Sequence, residues 1–256
     1  MDFTPIEVVP AACDGAASCR VCEGREARLA FVKSGYELYR CAACDFIFVH
    51  PFPSDAAIAA YYATAYRGAA PGFYPKSRSR RWRAFIRSLH FFRHVRGRDV
   101  LDLGCGGGFM VEAFARLGAR AEGIDISRNS IDYARGRFPA QRFYCESLSD
   151  FTQRGKKYDF VFSSEVLEHL PGPGEFMRTL AAIVRPGGFV YLSAPDAGHA
   201  RVPADISTWD DVCPPEHLEF FNARNLALLF ARHGFAPYRR YRTKDPAHSV
   251  VFRNMG

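Results

Sequence analysis

The sequence predicts an α/β domain with a small appendage, and three observations carry that prediction. The run Asp99-Val100-Leu101-Asp102-Leu103 ends abruptly in Gly104-Cys105-Gly106-Gly107-Gly108. Phe109, Met110, Ala113, Phe114 and Leu117 then follow at roughly helical spacing, so the stretch reads as strand, tight turn, helix. About twenty residues after the first loop glycine, Ala121-Glu122-Gly123-Ile124-Asp125 reads as a second strand ending in a carboxylate placed to accept bonds from a ribose diol. From Asp99 onward strand-like and helix-like segments alternate, the pattern of a Rossmann-like parallel sheet covered by helices.

The chain has 256 residues, 48% hydrophobic and 24% charged, ordinary values for a globular protein. No apolar run approaches the length of a membrane span, and the first residues lack a secretory pattern, so a cytoplasmic location without membrane partnership is expected. Residues 1 to 17 are rich in Pro and Ala and read as a loose arm. Cys19, Cys22, Cys41 and Cys44 then give C-x2-C-x18-C-x2-C, the spacing of a four-thiolate zinc site. Leu29 to Val32 and Tyr36 to Arg40 flank Lys33-Ser34-Gly35 as a hairpin between the two cysteine pairs, which makes the segment a zinc ribbon. A closed four-thiolate site leaves no open coordination position, so the metal is expected to be structural.

Prolines 51 and 53 close the ribbon, Ser54 offers a helix cap, and Tyr61, Tyr62 and Tyr66 cluster beyond it. Lys76, Arg78, Arg80, Arg81, Arg83, Arg87, Arg93, Arg96 and Arg98 carry much of the formal net charge of +7, with no acid until Asp99. One reading is a landing strip for RNA phosphates. The favoured one is the solvated face of a single helix over 76–97 whose other face buries Trp82, Phe85, Ile86, Leu89 and Phe92. Further strands are expected at 142–145, 157–164, 189–193, 236–241 and 249–252, with helices over 127–137 and 175–184 and one starting at Asn222.

The glycine loop alone is a weak signal, because the dinucleotide pattern G-x-G-x-x-G places Phe109 where its third glycine belongs. Asp102, two residues ahead of the loop, is unsuited to a pyrophosphate and points to a ligand bearing positive charge. Val100-Leu101-Asp102-Leu103-Gly104-Cys105-Gly106-Gly107-Gly108 followed by Gly123-Ile124-Asp125-Ile126-Ser127 resembles the cofactor site of class I S-adenosylmethionine-dependent methyltransferases. That resemblance implies a seven-stranded, mostly parallel sheet with an antiparallel edge. It puts Gly104, Cys105 and Gly106 beside the methionine part of S-adenosylmethionine, Asp102 near its ammonium, Asp125 on the ribose and Ile126 over adenine. It also places Glu146, Ser147 and Leu148 by the adenine, and Ser164 and Glu165 along the cofactor. A surface turn after the third strand would look the same at 146–148.

The N-terminal part resembles the metal-ribbon preface of many bacterial small-molecule methyltransferases, which implies Tyr66 as a lid residue; tyrosines that simply pack the ribbon would read alike. Glu165-Val166-Leu167-Glu168-His169-Leu170 resembles the E-x-L-E-H-L segment of these enzymes, with His169 capping the substrate cavity. Pro214-Pro215-Glu216-His217-Leu218-Glu219-Phe220-Phe221 resembles the segment that closes their acceptor pocket. Imidazole titrates near neutral pH, so His217 and His169 are the candidate general bases; either could instead tie a loop to the core. Trp209, Phe220 and Phe221 either line the pocket or belong to the core.

The organisation expected is an arm and zinc ribbon over 1–53, a helical lid and linker over 54–97, and a methyltransferase domain over 98–256. The leading function is methyl transfer to an O, N or C atom of a small-molecule metabolite. The alternatives are an RNA methyltransferase that grips nucleic acid through the ribbon and the basic helix, and a non-catalytic ribbon-bearing module. Ser163-Ser164-Glu165-Val166 stands where many amino-directed nucleic-acid methyltransferases carry an Asn/Asp-Pro-Pro-Tyr tetrad, which disfavours RNA. The oligomeric state is open from sequence.

Overall fold

The structure, a computed structural model, describes residues 18–54, 74 and 76–256. Strands β1 (Ala27–Lys33) and β2 (Tyr36–Cys41) form the expected hairpin. Its turn uses Ser34 at φ 53 and Gly35 at φ 80, the two positive values that match the twist of the flanking strands. β3 (Ile47–Val49) pairs with β2, and a two-residue strand, β9 (Glu219–Phe220), pairs with β3 to complete a four-stranded antiparallel sheet.

The larger sheet begins with β4 (Asp99–Leu103), β5 (Arg120–Asp125), β6 (Arg142–Cys145), β7 (Tyr158–Ser164) and β8 (Val184–Pro195), all parallel. β10 (Phe235–Arg240) and β11 (Ala247–Asn254) extend it through an antiparallel hairpin, giving the order β10-β11-β8-β7-β4-β5-β6. The chain runs outward from β4 to β6 and then resumes at β7 on the other side of β4. The β4–β7 junction is therefore the switch point, where the strand ends diverge and leave a crevice.

Alternation along the strands sorts the core into two layers. Val100, Phe160, Phe162, Tyr191 and Val251 face one helical layer together with Val111, Phe114 and Ile131. Leu101, Leu103, Val161, Val190 and Leu192 face the other, with Phe176, Met177, Leu180 and Ile183. Helices α3 (Phe109–Arg116) and α4 (Arg128–Arg137) belong to the first layer, and α6 (Pro173–Ile183) and α7 (Ala223–Arg232) to the second. A short α5 (Leu148–Thr152) follows β6. Asn222 and Asn225 form a capping box at the start of α7.

The basic segment departs from expectation. It is two helices, α1 (Ser77–Leu89) and α2 (Phe92–Val95), and the stripe read as buried is turned to solvent: Trp82 is 63% exposed, Leu89 46% and Ile86 41%. The small residues Ala84 and Ser88 face inward, which lets α1 lie close to α3, and Arg81 pairs with the buried Glu112 of α3 at 2.6 Å. The break in the helix then aims Phe91 into the core, 4.8 Å from the Tyr191 ring and 5.3 Å from Phe160. Apolar periodicity marks a face, but a charge pair and two small residues decided which face packs. Truncation Phe91→Ala should therefore cost about 3–5 kcal/mol in urea denaturation, while Trp82→Ala should stay within about 0.5 kcal/mol; equal losses would contradict this orientation.

Candidate active site

The crevice at the switch point is shaped by the loop after β4. Gly104 turns at φ +79, and a Cβ there would stand 2.3 Å from the Val166 Cγ2 atom, so a side chain is excluded both by conformation and by space. The N–H groups of Gly104 and Cys105 both donate to the Ile124 carbonyl at 2.9 Å. Asp125, at the end of β5, accepts the Gly106 N–H on one carboxylate oxygen and the Ser127 N–H on the other, each at 2.8 Å. It fixes the glycine loop and the entry to α4 at once. Burial raises its carboxyl above the ordinary range, opposed by these two donors.

Asp102 lies buried at the same strand ends. Burial first, and then the nearby Asp125 charge, push its pKa up to about 8, with Arg87 pulling the other way. Arg87 reaches inward from α1: its guanidinium donates to the Tyr191 hydroxyl at 2.8 Å and the Ser164 hydroxyl at 3.4 Å, and lies 5.0 Å from the centre of the Phe162 ring. Tyr74 donates to the Ser130 hydroxyl at 3.0 Å and stands so close to the loop that a Cβ on Gly107 would meet its ring at 2.8 Å.

The other predicted contacts fall around this centre. Cys105 is buried, its thiol 2.7 Å from where a Gly123 side chain would begin, and Ile126 is 77% exposed directly after Asp125. Glu146 is held in a two-pronged ion pair with Arg154, Ser147 caps α5, and Leu148 packs on the core. Glu165 adopts a left-handed φ of 57, rare for a side chain of its kind, and its carboxylate accepts the Ser193 hydroxyl at 2.9 Å. Tyr66 lies outside the described residues, as do Tyr61 and Tyr62.

Beyond Glu165 the chain makes one 3-10 turn, Leu167–His169, which meets the segment at 217. The His217 N–H of the main chain donates to Cys213, and the Leu218 N–H donates to the Glu168 carbonyl at 2.8 Å. The His169 Nδ1 lies 2.7 Å from the Glu216 carbonyl, the His217 Nδ1 lies 2.7 Å from the Asp211 carbonyl, and the rings are 4.8 Å apart. A carbonyl only accepts, so both Nδ1 atoms carry the proton and both Nε2 atoms present a lone pair. Glu168 is fully buried beneath them, and burial with the neighbouring Glu165 charge holds its carboxyl well above the usual range. Trp209, Phe220 and Phe221 are core: the first two pack with Leu38, Ile47 and Val49 of the small sheet, and Phe221 lies 4.8 Å from the Phe46 ring.

At the other end, the two cysteine pairs form matching turns, each followed by a left-handed residue, Glu23 at φ 60 and Asp45 at φ 62. Cys19 Sγ and Cys44 Sγ are 3.5 Å apart, Cys22 Sγ and Cys41 Sγ likewise, and all four sulfurs lie within 4.8 Å of one another. Edges of that length suit a tetrahedron with metal–sulfur bonds of about 2.3 Å. The close Cys44 thiol and local N–H groups pull Cys19 down to about 5, the thiolate form a metal takes.

Three residues at the site escaped the sequence reading. Arg87 was read with the solvated arginines, although it stands three residues after Ala84 and four before Phe91 on the face that packs. Glu168 carried no signal beyond its place in the Glu165–Leu170 segment, and Tyr74 carried none.

The Methyltransferase domain family matches residues 74–239. Among curated proteins, ubiquinone biosynthesis O-methyltransferase from Coxiella burnetii (strain RSA 493 / Nine Mile phase I) is 35% identical over 103 residues, 39% of this chain and 44% of that protein. The enzyme of the same name from Bordetella avium (strain 197N) is 40% identical over 106 residues, 39% of this chain and 43% of its own. The chain thus spans less than half the length of the curated relatives it matches. In structure it is similar to the magnesium protoporphyrin IX methyltransferase of Synechocystis PCC 6803 with bound SAH, with a TM-score of 0.59 and 17% identity, over 78% of this chain and 100% of that one. A S-adenosylmethionine-dependent methyltransferase from Mesorhizobium loti gives a TM-score of 0.54 at 20% identity, over 68% and 97%. With the family match reaching from Tyr74 to Arg239, across the glycine loop, Asp125 and both histidines, the chain belongs to the Methyltransferase domain family and carries the fold of its class I S-adenosylmethionine-dependent members.

Proposed function

We propose that the protein moves a methyl group from S-adenosylmethionine to a hydroxyl oxygen of a small-molecule acceptor. The observation that carries this reading is the pair of acids, the buried Asp102 and the half-buried Asp125, at a glycine loop. The Asp125 carboxylate disfavours a pyrophosphate, and the Asp102 carboxyl, uncharged in the empty chain up to about pH 8, gives up its proton to pair with the ammonium of a zwitterionic sulfonium nucleoside. Asp125 keeps acceptor capacity for ribose hydroxyls beyond its two backbone donors. Gly104, Cys105 and Gly106 let the donor lie against the main chain, the exposed Ile126 offers an apolar face to adenine, and Ser164 and Glu165 border the donor. Glu146, Ser147 and Leu148 stand at the adenine end, with the first two engaged in local contacts.

The donor supplies an activated methyl on a good leaving group. The protein's part is to align the acceptor oxygen and remove its proton. His217, with His169 beside it, presents a basic Nε2 for that proton. A hydroxyl acceptor is favoured by this pair of oriented bases and by the O-methyltransferase names of the partial relatives. The four cysteines hold a structural zinc, and the division 1–53, 54–97 and 98–256 separates ribbon, lid and catalytic segments. Among the described residues no helix is long and apolar enough to cross a membrane.

Calorimetry should detect binding of S-adenosylhomocysteine, and Asp102→Asn should weaken it at least about tenfold through loss of a charged hydrogen-bond partner. The same variant has a stability signature. Asp102 stays protonated in the folded chain up to about pH 8 but ionises from 3.8 when unfolded, so its contribution to stability falls as pH rises between those values. Urea denaturation across that window should show Asp102→Asn gaining on the parent as pH rises; an unchanged difference would refute the buried-acid assignment. Replacement His217→Ala should lower kcat about a hundredfold or more with S-adenosylhomocysteine affinity retained, whereas a loss of only a few-fold would assign His217 to loop closure alone.

A further inference from the structure

Glu168 is 0% exposed, and neither carboxylate oxygen has a hydrogen-bond partner among the described residues. His169 Nε2 stands 4.0 Å from one carboxylate oxygen, and among the described residues no lysine or arginine pairs with it. Burying a carboxylate in this way costs several kcal/mol unless a cation or a proton compensates. Glu165 and Asp211 add further negative charge nearby. Above Glu168 stand two imidazoles contributed by segments about fifty residues apart, each oriented by a short Nδ1–H bond to a main-chain carbonyl. This is how ligating histidines are held elsewhere: the outer nitrogen is tied to the protein and the inner lone pair points at the ion.

We propose that Glu168, His169 and His217 form a divalent-cation site distinct from the cysteine cluster, with one carboxylate oxygen and two Nε2 atoms as ligands. One ligand atom from each of the three residues lies within 4.8 Å of the others, a span that small side-chain rotations close to bonds of about 2.1 Å. Two imidazoles and a carboxylate select a borderline transition ion such as zinc, cobalt or ferrous iron over calcium or magnesium, which favour all-oxygen shells. Three protein ligands leave further positions open, unlike the closed thiolate tetrahedron. The use of the site, though not its existence, rests on the methyl transfer proposed above. With an ion held there, both Nε2 lone pairs are ligands and no longer bases. The ion takes over the activation assigned above to His217 by lowering the pKa of the acceptor's hydroxyl, whose proton passes to solvent water before the oxygen attacks the methyl group.

The test is metal stoichiometry on the full chain. After saturation with zinc and removal of excess, mass-spectrometric metal analysis should find two equivalents in the parent. Glu168→Gln and His217→Ala should each hold one, with far-ultraviolet dichroism and S-adenosylhomocysteine affinity retained as evidence of folding. If those variants fail to fold, a cobalt titration of the parent decides: the first equivalent should bring sulfur-to-cobalt charge-transfer absorption, and the second should add ligand-field bands without more of it. One equivalent in the parent, two in both folded variants, or a second equivalent with thiolate absorption overturns the site. A chain that holds one equivalent yet transfers methyl loses this site and keeps the proposed function. One that holds two yet never binds S-adenosylhomocysteine keeps the site and loses that function.

Discussion

Leu218 is the joint on which the two halves of the molecule depend. Its N–H donates to the Glu168 carbonyl at 2.8 Å and its carbonyl accepts the Val49 N–H at 2.9 Å, with the side chain fully buried. One residue thus links the exit of β7 to the last strand of the ribbon, and the chain continues from it into β9. His217 precedes it and the 3-10 turn carrying His169 lies on its other side. The imidazole pair is consequently set by main-chain hydrogen bonds from two sheets, a firmer frame than a surface loop provides.

The cofactor end is organised on the opposite principle. There the strand ends gather acids whose charged form burial disfavours. The Asp125 charge adds to the cost of burying Asp102, and the Arg87 guanidinium, partly engaged by Tyr191, offsets only part of it. A core selected for stability would carry apolar residues at such positions. Carboxylates kept under this strain are expected at a binding site, where a cationic ligand supplies what the protein lacks. Arg87 also couples the basic helix to the cleft, so α1 forms a wall of the site as well as covering α3.

What was legible in the sequence is what local chemistry dictates. Positive φ demands glycine, so the loop at 104–108 announced itself. Thiolate pairs need fixed spacing, so the ribbon did too, and strands buried on both faces leave apolar runs that placed β4 and β7 within a residue or two. The order of the sheet came from resemblance more than from periodicity. Orientation was not legible. Whether Trp82 or Ala84 faces inward depends on the Arg81–Glu112 pair and on the room above α3, neither of which any window of sequence contains. Glu168 was similarly hidden, because a glutamate in a turn reads as solvated until a segment some fifty residues later closes over it. The aromatics at 209, 220 and 221 resolved toward core for the same reason: their partners, Leu38, Ile47 and Val49, lie in the ribbon.

That shared packing bears on why the ribbon is built into the catalytic part rather than tethered to it. Tyr36, Leu38, Ile47 and Val49 form one apolar cluster with Trp209, Val212, Leu218 and Phe220, contributed by chain more than 150 residues away. A segment this short cannot bury enough surface on its own. It borrows half a core and a fourth strand from the insertion after β8, and a second tie runs from the Asn225 amide to the Cys44 carbonyl at 3.3 Å. The exchange runs both ways. The insertion has one short 3-10 turn and the two-residue β9 as its regular structure, so its placement, and with it that of His217, derives from the sheet that the cysteine turns brace.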